Sequence, residues 1–145
     1  MSAWREQVVI DAPVEVVWGL VGDPSRYPEW AQDVLEVTGV PELEPGATYR
    51  QKTRLPIGST TTTFVVDDFE ELREIRLHCT QSGYYSRWLL TEAQEATFAD
   101  VELGMEPIKL PYRAVDAFTG KRGYRRMLQR SLDGLKEVAD RERSG

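Results

Sequence analysis

Between residues 34 and 106 the chain repeats one pattern: runs of about five to ten residues rich in Val, Thr, Tyr, Phe and Trp, separated by short Gly, Pro or acidic breaks. Such runs have the composition and length of β-strands. The pattern predicts six strands, near 34–40, 47–55, 60–67, 74–81, 84–92 and 95–105. The breaks fall at Pro45-Gly46, Pro56-Ile57-Gly58, 68–72, Ser82-Gly83 and Ala93-Gln94. A parallel crossover needs about a dozen residues or more, so connections this short make consecutive strands antiparallel neighbours. The acidic group Asp67, Asp68, Glu70 and Glu71 sits at one of these connections and reads as a solvated turn rather than a metal site.

The flanks differ in period. Val8-Val9-Ile10 is a short strand-like run ending at Asp11-Ala12-Pro13, where Asp11 is placed to cap the next helix and Pro13 suits its first turn. Val14, Val17, Trp18 and Val21 form a single apolar helical stripe that stops at Gly22-Asp23-Pro24. Tyr27, Pro28 and Trp30 lie in a segment that predicts a short second helix and turn. Pro107, Pro111 and Gly120 predict a loop over 107–123 containing at most a helical turn. Beyond it, Tyr124, Leu128, Ser131, Leu135 and Val138, with Met127, Leu132 and Ala139, make the apolar face of a helix reaching to about Arg141, its Arg125, Arg126, Arg130, Lys136 and Glu137 mainly outside. The order is strand, two short helices, six strands and a long helix: a single α+β domain over 1–145, with a concave space between sheet and helix.

Composition narrows the chemistry. The 18 Lys+Arg and 24 Asp+Glu leave a formal charge of -6, which opposes long-range attraction to nucleic acid or anionic membrane while leaving room for local basic patches. No run approaches the roughly 18 apolar residues of a membrane span, and the opening Met1-Ser2-Ala3-Trp4-Arg5-Glu6 is not signal-like, so the expected compartment is the cytoplasm. Cys79 and His78 are each the single residue of their type. The expectation is therefore no disulfide, no zinc cluster, no metal and no cofactor, and no Ser-His-Asp apparatus unless His78 is its centre. No Gly-rich phosphate loop is present.

Ile10-Asp11-Ala12-Pro13-Val14-Glu15-Val16-Val17-Trp18, then Asp23 and Tyr27-Pro28-Glu29-Trp30, together with Pro45-Gly46-Ala47-Thr48-Tyr49 and the 128–139 helix, resemble the START/Bet v 1-like (SRPBCC) superfamily, in its polyketide cyclase/dehydratase-like branch. The resemblance spans nearly the whole chain and implies a helix-grip fold, a curved antiparallel sheet wrapped around the long C-terminal helix. It specifies the fold better than the chemistry, because members include lipid and sterol carriers, polyketide cyclases, hormone receptors and chaperone activators.

Strand alternation then selects candidates. Tyr49, Gln51 and Thr53 oppose the charged set Arg50, Lys52 and Arg54 and are expected inward. Ile75, Leu77 and Cys79 oppose Arg76, His78 and Thr80, which makes His78 a surface histidine and Cys79 a small buried apolar residue. The resemblance favours Trp88 and Leu90 inside. Trp18 reads as core, whereas Trp30 is expected at the cavity mouth, packing on a ligand or closing the gap between helix and sheet. Glu102 alternates with Val101 and Leu103 and is expected to be solvated; if buried it would be an acid-base candidate beside Tyr49 and Tyr84. The expected ligand contacts are Trp30, Tyr49, Gln51, Phe64, Trp88, Met105, Met127 and Ser131.

Three functions fit this reading. The first is non-catalytic binding or carriage of a small hydrophobic molecule: a lipid, polyketide or aromatic metabolite. The second is a polyketide aromatase/cyclase that folds its substrate and moves protons. The cyclases in the resemblance place a pocket arginine on a mid-sheet strand, and the corresponding Thr60-Thr61-Thr62-Thr63-Phe64-Val65-Val66 has none. The third is a protein-interaction module using the outer surface.

Overall fold

The computed structural model describes residues 2–107 and 109–144. Its elements run β1 (Ser2–Ile10), α1 (Val14–Val21), a 3-10 turn (Pro24–Arg26), α2 (Tyr27–Trp30), β2 (Val34–Thr38), β3 (Thr48–Arg54), β4 (Ser59–Glu70), β5 (Glu74–Cys79), β6 (Tyr84–Ala93), β7 (Ala96–Met105) and α3 (Leu110–Ser144). The seven strands form one antiparallel sheet in the order β1-β7-β6-β5-β4-β3-β2, so β2 to β7 are a meander and β1 closes onto its last strand. With α3 laid against the sheet and two short helices after β1, this is the helix-grip arrangement.

Alternation decides which face each strand buries. On β5, Ile75, Leu77 and Cys79 are buried between the more exposed Arg76 and His78; on β7, Thr97, Ala99, Val101, Leu103 and Met105 are buried. α3 answers with Tyr124, Leu128, Leu132, Leu135, Val138 and Ala139. Each of its Leu and Val side chains contributes on the order of 1.5–3 kcal/mol when fully buried, which holds a helix whose outward face is charged beyond Gly120. The backbone of α3 approaches β1, β7, α1 and α2. The buried apolar side chains of β3, β4 and β5 belong to the same core cluster as those of α3. Arg125, on the flank of α3, is not simply solvated: its guanidinium lies 5.3 Å over the Trp4 ring of β1.

Four expectations need correction. β1 begins at Ser2, not Val8, because an edge strand with Arg5 and Gln7 exposed lacks the apolar density of an inner strand. Asp11 does not cap α1: Pro13 occupies the cap position, and the Asp11 carboxylate lies in solvent, 3.6 Å from Arg143. The acidic segment is not a turn until Glu71, since β4 continues to Glu70 across a register shift between Val66 and Asp68. That bulge reverses the parity of the strand, so that Phe69 turns inward onto Trp18 at 5.6 Å. Finally, the segment expected as a loop over 107–123, of which Ile108 lies outside the described residues, is helical from Leu110 and broken only at Gly120, with φ 60° and ψ -177°. Pro111 is compatible because a helix tolerates proline in its first turn, and Gly120 takes the left-handed φ that other residues avoid.

Candidate functional site: the concave face of the sheet

β3 and β4 build the polar part of the concave face. Their register sets Tyr49 opposite Phe64 and Gln51 opposite Thr62, and all four side chains are buried. The Tyr49 and Phe64 rings stack with centroids 5.7 Å apart and 16° between planes. β5 continues the row with Cys79 opposite Phe64. The Gln51 amide donates to Thr53 Oγ1 at 3.1 Å. The Tyr49 hydroxyl, in contrast, is buried without a hydrogen-bond partner among the described residues. An orphaned buried hydroxyl costs free energy, which makes it the polar atom here with most to gain from a ligand.

The phenols around it share one property. Burial pushes the Tyr49 phenol well above the usual tyrosine range, and the neighbouring Tyr27, Tyr84 and Cys79 add to this. Burial likewise raises Tyr84, assisted by the negative charge of Asp33, and raises Tyr27, whose hydroxyl donates to the Val21 carbonyl at 2.7 Å. At neutral pH these phenols are hydrogen-bond donors, not bases. Burial alone would raise the Cys79 thiol, but hydrogen bonds from Ser82, Thr62 and the Ser82 and Gln81 backbone bring it below its ordinary value.

The expected ligand contacts separate into groups. Tyr49, Gln51 and Phe64 are adjacent inward positions of β3 and β4. Met105 is buried at the end of β7, opposite Tyr84, while Met127 and Ser131 are half-buried on α3. Trp30 closes the gap between α2 and the sheet. It is buried, its indole N–H donates to the Leu20 carbonyl at 3.1 Å, and its ring meets Trp88 edge to face at 5.5 Å and Tyr27 at 5.3 Å. Trp30 and Trp88 thus wedge α2 against β6, and Tyr27 packs on the Trp30 ring. Thr62, Tyr84 and Asp33 were not among the expected contacts; alternation with Phe64 and Trp88 carries the signal for the first two, and no local pattern marks Asp33.

The opposite face carries a separate cleft of about 520 Å³, lined among others by Asp67, Arg76, His78, Tyr85, Glu106 and Lys109. His78 points outward as its parity requires, and the β4 bulge brings Asp67 to its Nδ1 at 2.8 Å. Arg76 lies 5.1 Å over the Tyr85 ring, and the Tyr85 hydroxyl donates to Glu102, which is half-buried on this outer face. Gly104 makes room for that ring, since a Cβ there would lie 3.0 Å from Tyr85 Cε1. The lining mixes both charge signs in internal pairs, which fits a solvated groove. Among the described residues no three His, Cys, Asp or Glu side chains converge as metal ligands.

No curated protein matches the chain by sequence. Among solved structures, a protein from Nitrosomonas europaea superposes with a TM-score of 0.76 at 11% identity, covering 99% of this chain and 97% of that one. The Zhui aromatase/cyclase of a Streptomyces species gives 0.74 at 16% identity, covering 96% and 93%. A START superfamily protein from Mycobacterium smegmatis gives 0.69 at 16% identity, covering 99% and 98%. At such identities these likenesses concern the fold. The family described as polyketide cyclase / dehydrase and lipid transport matches residues 1–140, and the chain belongs to it.

Proposed function

We propose that the protein binds a small, mostly apolar molecule carrying a hydrogen-bond-accepting oxygen, between the concave face of β3–β5 and α3. The observation that carries this reading is the buried Tyr49 hydroxyl without a partner among the described residues, beside the Phe64 ring and the Gln51 and Thr62 side chains. Phe64, Met105, Met127, Trp88 and Trp30 supply apolar surface around it, and Ser131 a small polar position on α3. A ligand carbonyl would accept from Tyr49 and remove the cost of the orphaned hydroxyl. The family's range, from cyclases to lipid transport, is compatible with such a ligand.

Calorimetric titration with a matched pair of naphthalenes, one bearing an acetyl and one an ethyl group, tests this. The ketone should bind about tenfold more tightly, and Tyr49→Phe should erase the preference, in line with about 1 kcal/mol or more for a hydrogen bond made in a dry site. Equal affinity of the two compounds for the wild type, or a preference surviving in Tyr49→Phe, would refute the assignment. Native mass spectrometry of the purified protein would identify a co-purifying ligand.

A second reading, cyclisation of a reactive poly-ketone, is favoured by the raised phenols of Tyr49 and Tyr84, which remain donors toward a developing enolate oxygen. Against it stands the arginine-free β4 and the absence of any imidazole on the concave face, His78 lying outside. Rate enhancement with a poly-ketone mimic, lost in Tyr49→Phe with affinity kept, would establish it.

A further inference from the structure

The first part of α3 is built inside out. From residue 110 to 118 the buried position is an acid, Asp116, which accepts hydrogen bonds from the Ser2 backbone N–H at 3.1 Å and the Tyr124 hydroxyl at 2.9 Å. The exposed positions are Leu110, Pro111, Arg113, Ala114, Val115, Ala117 and Phe118, apolar in every case but Arg113. Phe118 is 95% exposed and Leu110 78%. A helix selected only to cover the domain would turn its apolar stripe inward. Here the domain is met by an acid and its hydrogen bonds, and the apolar stripe faces away.

Charge indicates what covers that stripe. Residues 107–130 hold seven of the chain's 18 Lys+Arg (Lys109, Arg113, Lys121, Arg122, Arg125, Arg126 and Arg130) and one of its 24 Asp+Glu, the buried Asp116. The net charge of -6 therefore hides a strongly basic segment within an acidic remainder. Because fields are screened within about 8 Å at physiological salt, a surface brought against this segment senses its local charge rather than the net. An exposed apolar helix face beside Lys and Arg is the chemistry of an interfacial helix on anionic lipid. A symmetric contact with a second copy would instead bring two basic segments together.

We propose that residues 110–118, with Arg113 among them and Lys109, Lys121 and Arg122 flanking them, dock the protein on the surface of an anionic bilayer, with Phe118 and Leu110 entering the headgroup layer. The inference goes beyond the ligand site and is independent of it.

Co-sedimentation with vesicles of equimolar phosphatidylglycerol and phosphatidylcholine, against vesicles of phosphatidylcholine alone, tests it. Wild type should bind the anionic vesicles about tenfold more tightly or better, and high salt should weaken that binding. Phe118→Asp, at a position exposed enough to leave folding intact, and Lys121→Glu/Arg122→Glu should each reduce it about tenfold while circular dichroism stays unchanged. Failure to bind anionic vesicles, or binding unaltered in Phe118→Asp, would overturn the proposal. So would a concentration-dependent dimer in sedimentation velocity, abolished by Phe118→Asp without any vesicle binding, because the covering partner would then be a second copy.

Discussion

The backbones of α2 and α3 touch where Gly134 meets Trp30: a Cβ on Gly134 would lie 2.4 Å from the Trp30 carbonyl oxygen. The missing side chain is what lets α3 press on α2, and through it on the Trp30–Trp88 contact. Gly134→Ala gains about 1 kcal/mol of helix propensity but forces the two helices apart. The expected net result is a destabilisation of about 1–3 kcal/mol, read as a lower denaturation midpoint in urea; a midpoint above wild type would show that the helices can separate freely.

Leu135 is fully buried on the face that α3 turns to the domain. Leu135→Asp places an unpaired charge there and should cost several kcal/mol, enough to abolish cooperative unfolding or prevent folding. Leu135→Ala, with its cavity, should cost about 2–5 kcal/mol and remain measurable by chemical denaturation.

Tyr49→Phe removes a buried hydroxyl that has no partner among the described residues. In the ligand-free protein the variant should equal or exceed wild type in stability, by up to about 1–3 kcal/mol, while losing affinity for carbonyl-bearing ligands. Thermal denaturation with and without ligand separates the two effects. A loss of stability without ligand would mean that the hydroxyl is satisfied in solution.

Tyr27, Tyr49, Tyr84, Tyr85 and Tyr124 all have phenols raised, chiefly by burial. A raised folded-state value means that the unfolded chain releases these protons first. The stability they confer is complete below the ordinary tyrosine value near 10 and declines as pH rises above it. Absorbance titration at 295 nm should therefore show these tyrosines ionising late and together with loss of near-ultraviolet dichroism. Ionisation of all of them near pH 10 with the fold retained would contradict their burial.

Much of the fold was legible because the relevant signals are local. The alternation of Ile75, Leu77 and Cys79 with Arg76 and His78 needs only period two and one wet face, and the structure keeps it. The stripes of α1 and of α3 beyond Gly120 were equally readable, being set by 3.6 residues per turn. Parity also placed Tyr49 and Gln51 on the inward face, and both are buried. It could not reveal that the Tyr49 hydroxyl would find no partner, since that depends on atoms of other strands and of α3.

Where reading failed, a long-range contact had overridden a local rule. Phe69 faces Trp18 only because one extra residue is inserted at the β4 bulge, and nothing within 64–70 announces which residue is the extra one. For Trp30 the proline-bearing segment left two roles open, ligand contact or closing the gap between helix and sheet, and its burial depends on Gly134, over a hundred positions along the chain, whose missing side chain lets α3 approach. The helix at 110–119 was masked by its own composition: its apolar residues face away from the domain and its acid faces in, the reverse of the pattern by which a packed helix is recognised. Sequence by itself determined the order of elements, the antiparallel meander and the inward faces of β3 and β5, because these follow from backbone geometry and side-chain period. The tertiary structure alone decided which buried polar atom lacks a partner and which apolar face lacks a cover, because satisfaction and burial are properties of neighbours brought together from distant parts of the chain.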